Sequence, residues 1–435
     1  MRPKVFGYVG STSLIIASMI GTGVFTSLGM QLQQLSSISA ILLLWALGGV
    51  SSLAGALCYA ELGAAHPRSG GEYHLLRVIY HPTLGFLAGA TTIIAGLAAP
   101  VALSATAFAA YASNLLPAFI KDFPLELLSV GIILAATALH SWSARIGAAL
   151  HSGITGVNIL LILAFIVFAA FFPQTPPPQI LPDGEAWRQI LSADYAVAFV
   201  FVVYAYLGWN TSVYIIDELR EPQKILPRSV LTGVLAVTVL YALLNYSFLR
   251  SAPASELAGK IDVGYIAAKG IFGETGGAYM SALIALALVG SVSSYIVLAP
   301  RVWQTMGQDY SLLKFAAAEN GCGIPQRAFL IQAALAAMIV LTSSFEAILT
   351  FAGLLLTLYN LLAVVGVVVL RVRRPELPRP YKAWGYPATP LVFAVIALWM
   401  IAYVAYRRPL ISLCALLTVA IAFALQIMQK RKIPI

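Results

Sequence analysis

The chain has 435 residues, of which 60% are hydrophobic and 10% charged, with a mean hydropathy of +0.88. A soluble domain carries roughly 25% charged residues, so this balance excludes one and indicates a polytopic membrane protein. The net charge of +9 is spread over short loops between apolar runs, which excludes a nucleic-acid-binding face and matches the positive-inside rule.

Apolar runs long enough to cross a bilayer, about 17 to 25 residues each, start near Tyr8, Ala40, Thr83, Leu125, Gly153, Tyr195, Val230, Thr275, Ala328, Ala347, Thr389 and Leu410. Twelve spans place both termini on one side, and the basic lead "MRPKVFGYVGS" reads as a signal anchor. Most of the 26 lysines and arginines fall on the side of the termini when that side is cytoplasmic, among them Arg68, Arg220, Arg228, Arg371 and Arg379. The expected location is the inner cell membrane, with both termini in the cytoplasm. Cys58, Cys322 and Cys414 are too few and too scattered for a disulfide framework and read as inert thiols.

The first span, "SLIIASMIGTGVFTSLGM", holds Gly21 and Gly23 at its middle. Two residues apart, they do not share a helix face, so their spacing fits an unwound segment rather than a packing stripe. The sixth span, "FVFVVYAYLGWNTSVYIIDELREP", is interrupted at Gly208 and followed by the polar run Trp209, Asn210, Thr211 and Ser212, which is costly against lipid. These spans open two five-span halves, and interrupted helices at matching positions are the sequence mark of a transporter site.

Breaking the first span frees the amides of Thr22, Gly23 and Val24 at the head of a half-helix, where the dipole favours a carboxylate. Breaking the sixth frees carbonyls between Val203 and Leu207, which accept from an ammonium group. A zwitterionic amino acid fits both. Ser18, Met19 and Ile20, with Tyr204, Trp209 and Asn210, make an uncharged lining that suits a neutral side chain. Of the long polar connections, "PQTPPPQILPDGEAWRQILSAD" is expected to be stiff and extended, and "RSAPASELAGKIDVGYIAAKGIFGETGG" to be a surface loop with room for a short helix.

Four segments carry a family resemblance: "IGTGVF", "YAELGAAHPRSGGEYHLL", "YAYLGWNTSVYIIDELREPQKILPRS" and "RPYKAWGYP". The chain resembles the amino acid–polyamine–organocation permeases, and within them the L-amino acid transporter branch. The resemblance implies an all-α polytopic membrane protein with twelve transmembrane helices in a LeuT-like fold. Residues 1–371 would form a 5+5 inverted-repeat core, with spans 1–5 over about 8–173, spans 6–10 over about 195–371, and helices 1 and 6 discontinuous. Residues 372–435 would hold the peripheral spans 11 and 12 and the tail.

By the same analogy the substrate carboxylate meets the amides of Thr22 and Gly23 at the Gly21 break, helped by the Thr22 hydroxyl. The ammonium meets carbonyls at Met19, Tyr204, Ala205 and Leu207. Tyr204 and Trp209 take gating positions, and Asn210 stands near the substrate. Leu207 replaces a frequent glycine. In the fifth span many relatives carry a lysine that substitutes for sodium; local pattern puts Asn158 there, and counting puts Ile154. A sodium site between the first and eighth spans could draw on Ser291, Ser293 and Ser294, hard oxygen donors. Members of this branch pair with a single-span glycoprotein, but the brief external loops here resemble stand-alone relatives with no obligate protein partner.

Glu61, Glu72, Asp217 and Glu218 are candidates for inner-gate ion pairs with Arg68, Arg220 or Arg228. His140 and His151 are expected to be solvated loop histidines. No P-loop, nucleophile elbow, zinc helix or C-x-x-C pair occurs, so no enzyme, cofactor or metal centre is expected. The function expected is secondary transport of neutral L-amino acids, as an exchanger. The alternatives are a sodium- or proton-coupled symporter, an amine or polyamine carrier and, last, an amino-acid sensor.

Overall fold

Each apolar run of the sequence folds as helix in the computed structural model. It describes residues 6–428 except 69, 118–122, 143–144, 215, 311–312 and 320–324; the side chains of 142, 145–155, 157, 212, 214, 217, 305, 308, 309 and 317 are also outside the description. Cys322, the side chains of His151, Ile154, Ser212 and Asp217, and the basic residues of both extreme ends therefore fall outside it.

The first run is split into α1 (Tyr8–Met19) and α2 (Thr22–Gln34), followed by α3 (Ile38–Ala65) and a short α4 (Gly71–Ile79). The third run is α5 (Pro82–Thr91), a π-helical turn over Thr92–Ala98 and α6 (Ala99–Ser113). Pro100 explains that turn: it has no N–H to give the helix, and the Ala99 amide reaches back to the Ile94 carbonyl instead. After α7 (Leu125–Trp142) and α8 (Arg145–Phe171), a short α9 (Gly184–Ile190) leads into α10 (Ala193–Tyr206) and the four-residue α11 (Thr211–Tyr214). Then come α12 (Pro222–Ser251), α13 (Ala254–Leu257), α14 (Val263–Asp309), α15 (Lys314–Ala317), α16 (Gln326–Thr342), α17 (Phe345–Arg373), α18 (Ala388–Arg407) and α19 (Pro409–Met428). Within α14 the chain kinks at Gly273, whose φ is +72°, just before the start read for the eighth run.

Among the described residues, eight helices are long and apolar enough to cross a membrane, or nine with the bent pair α9–α10. Three shorter apolar helices, Leu125–Ser141, Asn158–Phe171 and Gln326–Thr342, stand where the fourth, fifth and ninth runs were read. The chain is thus an all-helical, multi-pass membrane protein. In the first proline-rich connection α9 is capped by Asp183, whose carboxylate accepts from the Ala186 amide. The second connection carries α13 and docks on α2: the Gly259 amide donates to the Gly29 carbonyl at 2.8 Å.

At one end of the bundle Glu61, on α3, is buried and forms a forked pair with Arg371 of α17, at 2.9 and 2.6 Å. Arg379 lies 3.6 Å away, and the Ala383 amide donates to the same carboxylate. Glu61 therefore pairs with Arg371 and Arg379, whereas Arg68, Arg220 and Arg228 are exposed. The sequence hid this, because the partners lie more than 300 positions apart.

Candidate binding site at the two interrupted helices

The break in the first span is at Ile20 and Gly21, both with extended backbone, and no side chain caps α2. The amides of Thr22, Gly23 and Val24 thus open a 13-residue helix with no capping acceptor, a ready anion site. A Cβ built on Gly21 meets nothing within 4 Å, so space opens beside these amides. The Thr22 hydroxyl lies 3.0 Å from that of Ser104 on α6, and both are buried.

The two glycines of the first break differ in role. Gly23 lies inside α2, where an added Cβ would stand 2.6 Å from the Ala205 Cα. It is the point at which α2 and α10 touch, a packing role the expectation of an unwound segment missed.

On the sixth span, α10 ends at Leu207, whose amide bonds the Tyr204 carbonyl at 3.1 Å. Gly208 follows with φ +116°, and an added Cβ would fall 2.4 Å from the Ser18 carbonyl oxygen. Only glycine meets both demands here. Ser18, half-buried, is thereby pressed against the second break.

The carbonyls of Met19 and Ala205 converge. Both accept from the Tyr241 hydroxyl of α12, at 2.5 and 3.1 Å. That hydroxyl has one proton, so it serves one carbonyl at a time, and each carbonyl keeps a lone pair for another donor. Tyr241 is held by the ring of Tyr206, 5.1 Å away edge-on, and by Trp45 at 5.5 Å. Met19, Ile20, Tyr204 and Ala205 are buried around this point.

Other candidates have partners elsewhere. Asn210 donates to the Glu72 carboxylate at 2.6 Å. The same oxygen accepts from Tyr59 at 2.9 Å, and Tyr59 also lies 2.8 Å from the Asn360 side-chain oxygen. Glu72 is thus engaged by Tyr59 and Asn210. Trp209 is buried, edge-on to Tyr59 at 4.8 Å and facing Phe393 at 6.3 Å. Asn158 is buried, with its side-chain oxygen unpartnered.

His140 corrects an expectation. It is not a solvated loop residue: it is 1% exposed on α7, and its Nε2 lies 2.5 Å from the Ser293 hydroxyl. Ser293 thus faces α7, and Ser294 bonds the Gly290 carbonyl of its own helix; Ser291 is half-buried. Sequence reasoning missed Tyr241 and Ser104, since a tyrosine or serine within an apolar run has no distinguishing spacing. Among the described residues no His, Cys, Asp and Glu cluster could hold a metal ion.

Comparison with known proteins agrees with this architecture. A family model described as amino acid permease matches residues 6–429. The chain is 27% identical over 424 residues to the Asc-type amino acid transporter 1 of Mus musculus, covering 94% of this chain and 78% of that protein. It is 25% identical over 388 residues to the b(0,+)-type amino acid transporter 1 of Homo sapiens, covering 87% and 78%. It is 27% identical over 411 residues to the large neutral amino acids transporter small subunit 2 of Rattus norvegicus, covering 91% and 76%. These relatives are carriers, not enzymes. An uncapped half-helix beside converging carbonyls, in an all-helical membrane chain matched almost from end to end, leads to one conclusion: the chain belongs to the amino acid permease family, within the amino acid–polyamine–organocation superfamily, and is an amino acid transporter.

Proposed function

We propose that the chain is a secondary carrier for neutral L-amino acids that works by alternating access as an exchanger. One observation carries the reading: the Met19 and Ala205 carbonyls share a single hydroxyl proton, while the α2 amides beside them have no capping acceptor. The carboxylate is assigned to the amides of Thr22 and Gly23, with the Thr22 and Ser104 hydroxyls beside it. The ammonium is assigned to the carbonyls of Met19, Ala205 and the end of α10 at Tyr204 and Leu207. No aspartate or glutamate stands in α1, α2 or α11, and the single one in α10, Asp194, is in its first turn and paired with Arg407. A cationic side chain thus lacks a partner, which favours neutral substrates over amines or polyamines. Tyr204 and Trp209 are proposed as gates, and Asn210 as the tie between the sixth-span break and Glu72.

The topology belongs to this proposal: twelve spans, made of the eight long helices, α10–α11 and the three shorter ones, with termini in the cytoplasm. The first ten form the inverted-repeat core to residue 371, and α18 and α19 are peripheral. Ser293 and Ser294 are engaged with His140 and Gly290, which speaks against a sodium site there, and Asn158 stands at the coupling position of the fifth span. The purified chain is expected to work without a second subunit.

The test is uptake of labelled alanine by liposomes holding the purified chain, with and without internal unlabelled alanine and external sodium. Uptake that requires internal amino acid and ignores sodium supports the proposal. Concentrative, sodium-dependent uptake into empty liposomes replaces exchange with symport, and no uptake under any gradient removes the transport assignment.

A further inference from the structure

Behind the sixth-span break, on the side turned to α17 and α18, lies a cavity of about 10 Å3, the free volume one water molecule needs. Its polar wall is Ser51 and Ser52 of α3 with Thr357 and Asn360 of α17, and its floor is Val203 and Leu207. Thr357 is 3% exposed and its hydroxyl has no hydrogen-bond partner. The helix register explains its position. One turn before it, Gly353 packs so closely on α10 that an added Cβ would stand 2.6 Å from Val200, so the 353–357 face of α17 lies along the 200–203 face of α10.

The floor has a shortage of its own. In a continuous helix the Leu207 amide would serve the Val203 carbonyl, but here it turns to Tyr204. In apolar surroundings such a freed carbonyl needs a replacement donor, and ordered water is one of the few available. A buried hydroxyl left unpaired costs about 1–3 kcal/mol.

We propose that this cavity holds one ordered water molecule, bound by the Thr357 hydroxyl and the end of α10, which replaces the helix hydrogen bond lost at Leu207. The cavity contains no carboxylate, so a neutral, small, two-sided partner fits its chemistry. Asn360 joins the site to Tyr59, Glu72 and Asn210, which places the water at the rear of the same broken segment. The inference does not depend on which amino acid is carried or on exchange.

Thr357→Val tests it, because valine keeps the shape and removes the hydroxyl. With a bound water, the variant loses a satisfied hydrogen bond and its thermal unfolding midpoint falls by about 2 °C, while Thr357→Ser stays close to wild type. An experimental structure fine enough to show waters carries one peak within hydrogen-bond distance of the Thr357 hydroxyl, and Thr357→Val lacks it. A rise or no change in the Thr357→Val midpoint overturns the proposal, since a dry hydroxyl is better replaced by a methyl group. So does an empty cavity. Sodium that stabilises wild type but not Thr357→Val makes the occupant a cation and overturns it as well.

Discussion

The hydroxyl of Tyr241 stands 2.5 Å from the carbonyl oxygen of Met19 and 3.1 Å from that of Ala205. One side chain on α12 thus bridges the broken ends of the first and sixth spans. Tyr241→Phe keeps the ring, its contact with Tyr206 and the burial, and removes only the hydroxyl. Losing one hydrogen bond to a buried carbonyl costs about 1–2 kcal/mol, so the thermal midpoint is expected to fall by about 2 °C, and with the two broken ends no longer bridged alanine exchange at low substrate is expected to fall about tenfold. Unchanged kinetics would show that the bridge plays no part in binding.

The three glycines of the breaks have different duties. Gly208→Ala combines a positive φ with a clash at the Ser18 carbonyl, and Gly23→Ala drives a methyl group into the Ala205 backbone. Both variants are expected to lose transport and several degrees of thermal stability. Gly21→Ala meets no atom within 4 Å and is expected to fold like wild type while impairing uptake, because the methyl group enters the space beside the α2 amides. A destabilised Gly21→Ala protein would refute that separation.

Glu61 is 2% exposed, with Arg371 and Arg379 at its carboxylate. Removing one partner from such a buried cluster costs about 3–5 kcal/mol, because the guanidinium groups remain uncompensated. Glu61→Gln should therefore yield little monodisperse protein from membranes. Arg68→Ala, at an exposed site, should yield as much as wild type; size-exclusion profiles of the two distinguish them.

His66 closes α3 at the same end, and its pKa is lowered from the ordinary 6.5, first by burial and then by the charges of Arg374 and Arg379. With the folded-state value below the unfolded one, its contribution to stability is complete above about pH 6.5 and is lost as the pH falls through the lowered value. Thermal unfolding followed from pH 8 downwards should show the midpoint dropping below pH 6.5, and His66→Gln should flatten that part of the curve. An unaltered slope in the variant would assign the acid sensitivity elsewhere.

The helical, multi-pass character and both interruptions are legible in the sequence because glycine at mid-span is a local signal. Tyr241 and Ser104 are not, since their significance comes from which helix lies opposite. His140 shows the same limit: its short distance from the end of an apolar run suggested solvent, but α14 covers it and Ser293 meets it. Asn210 lies in the broken segment, yet its partner, Glu72, lies 138 positions away. Spacing reports what one helix does to itself, and the site is made by what helices do to each other.

Among the described residues, one bridge of extended chain joins Phe6 to Leu219: the Phe6 amide donates to the Glu218 carbonyl at 3.1 Å, and the Arg220 amide to the Phe6 carbonyl at 3.1 Å. It links the lead into α1 with the stretch just beyond α11. A joint made wholly of main chain is indifferent to the side chains that pass through it. Substitution at these positions leaves it standing, and only an imino acid at position 6 or 220 deletes one of its donors. The two half-helices share a fastening that ordinary mutation cannot untie.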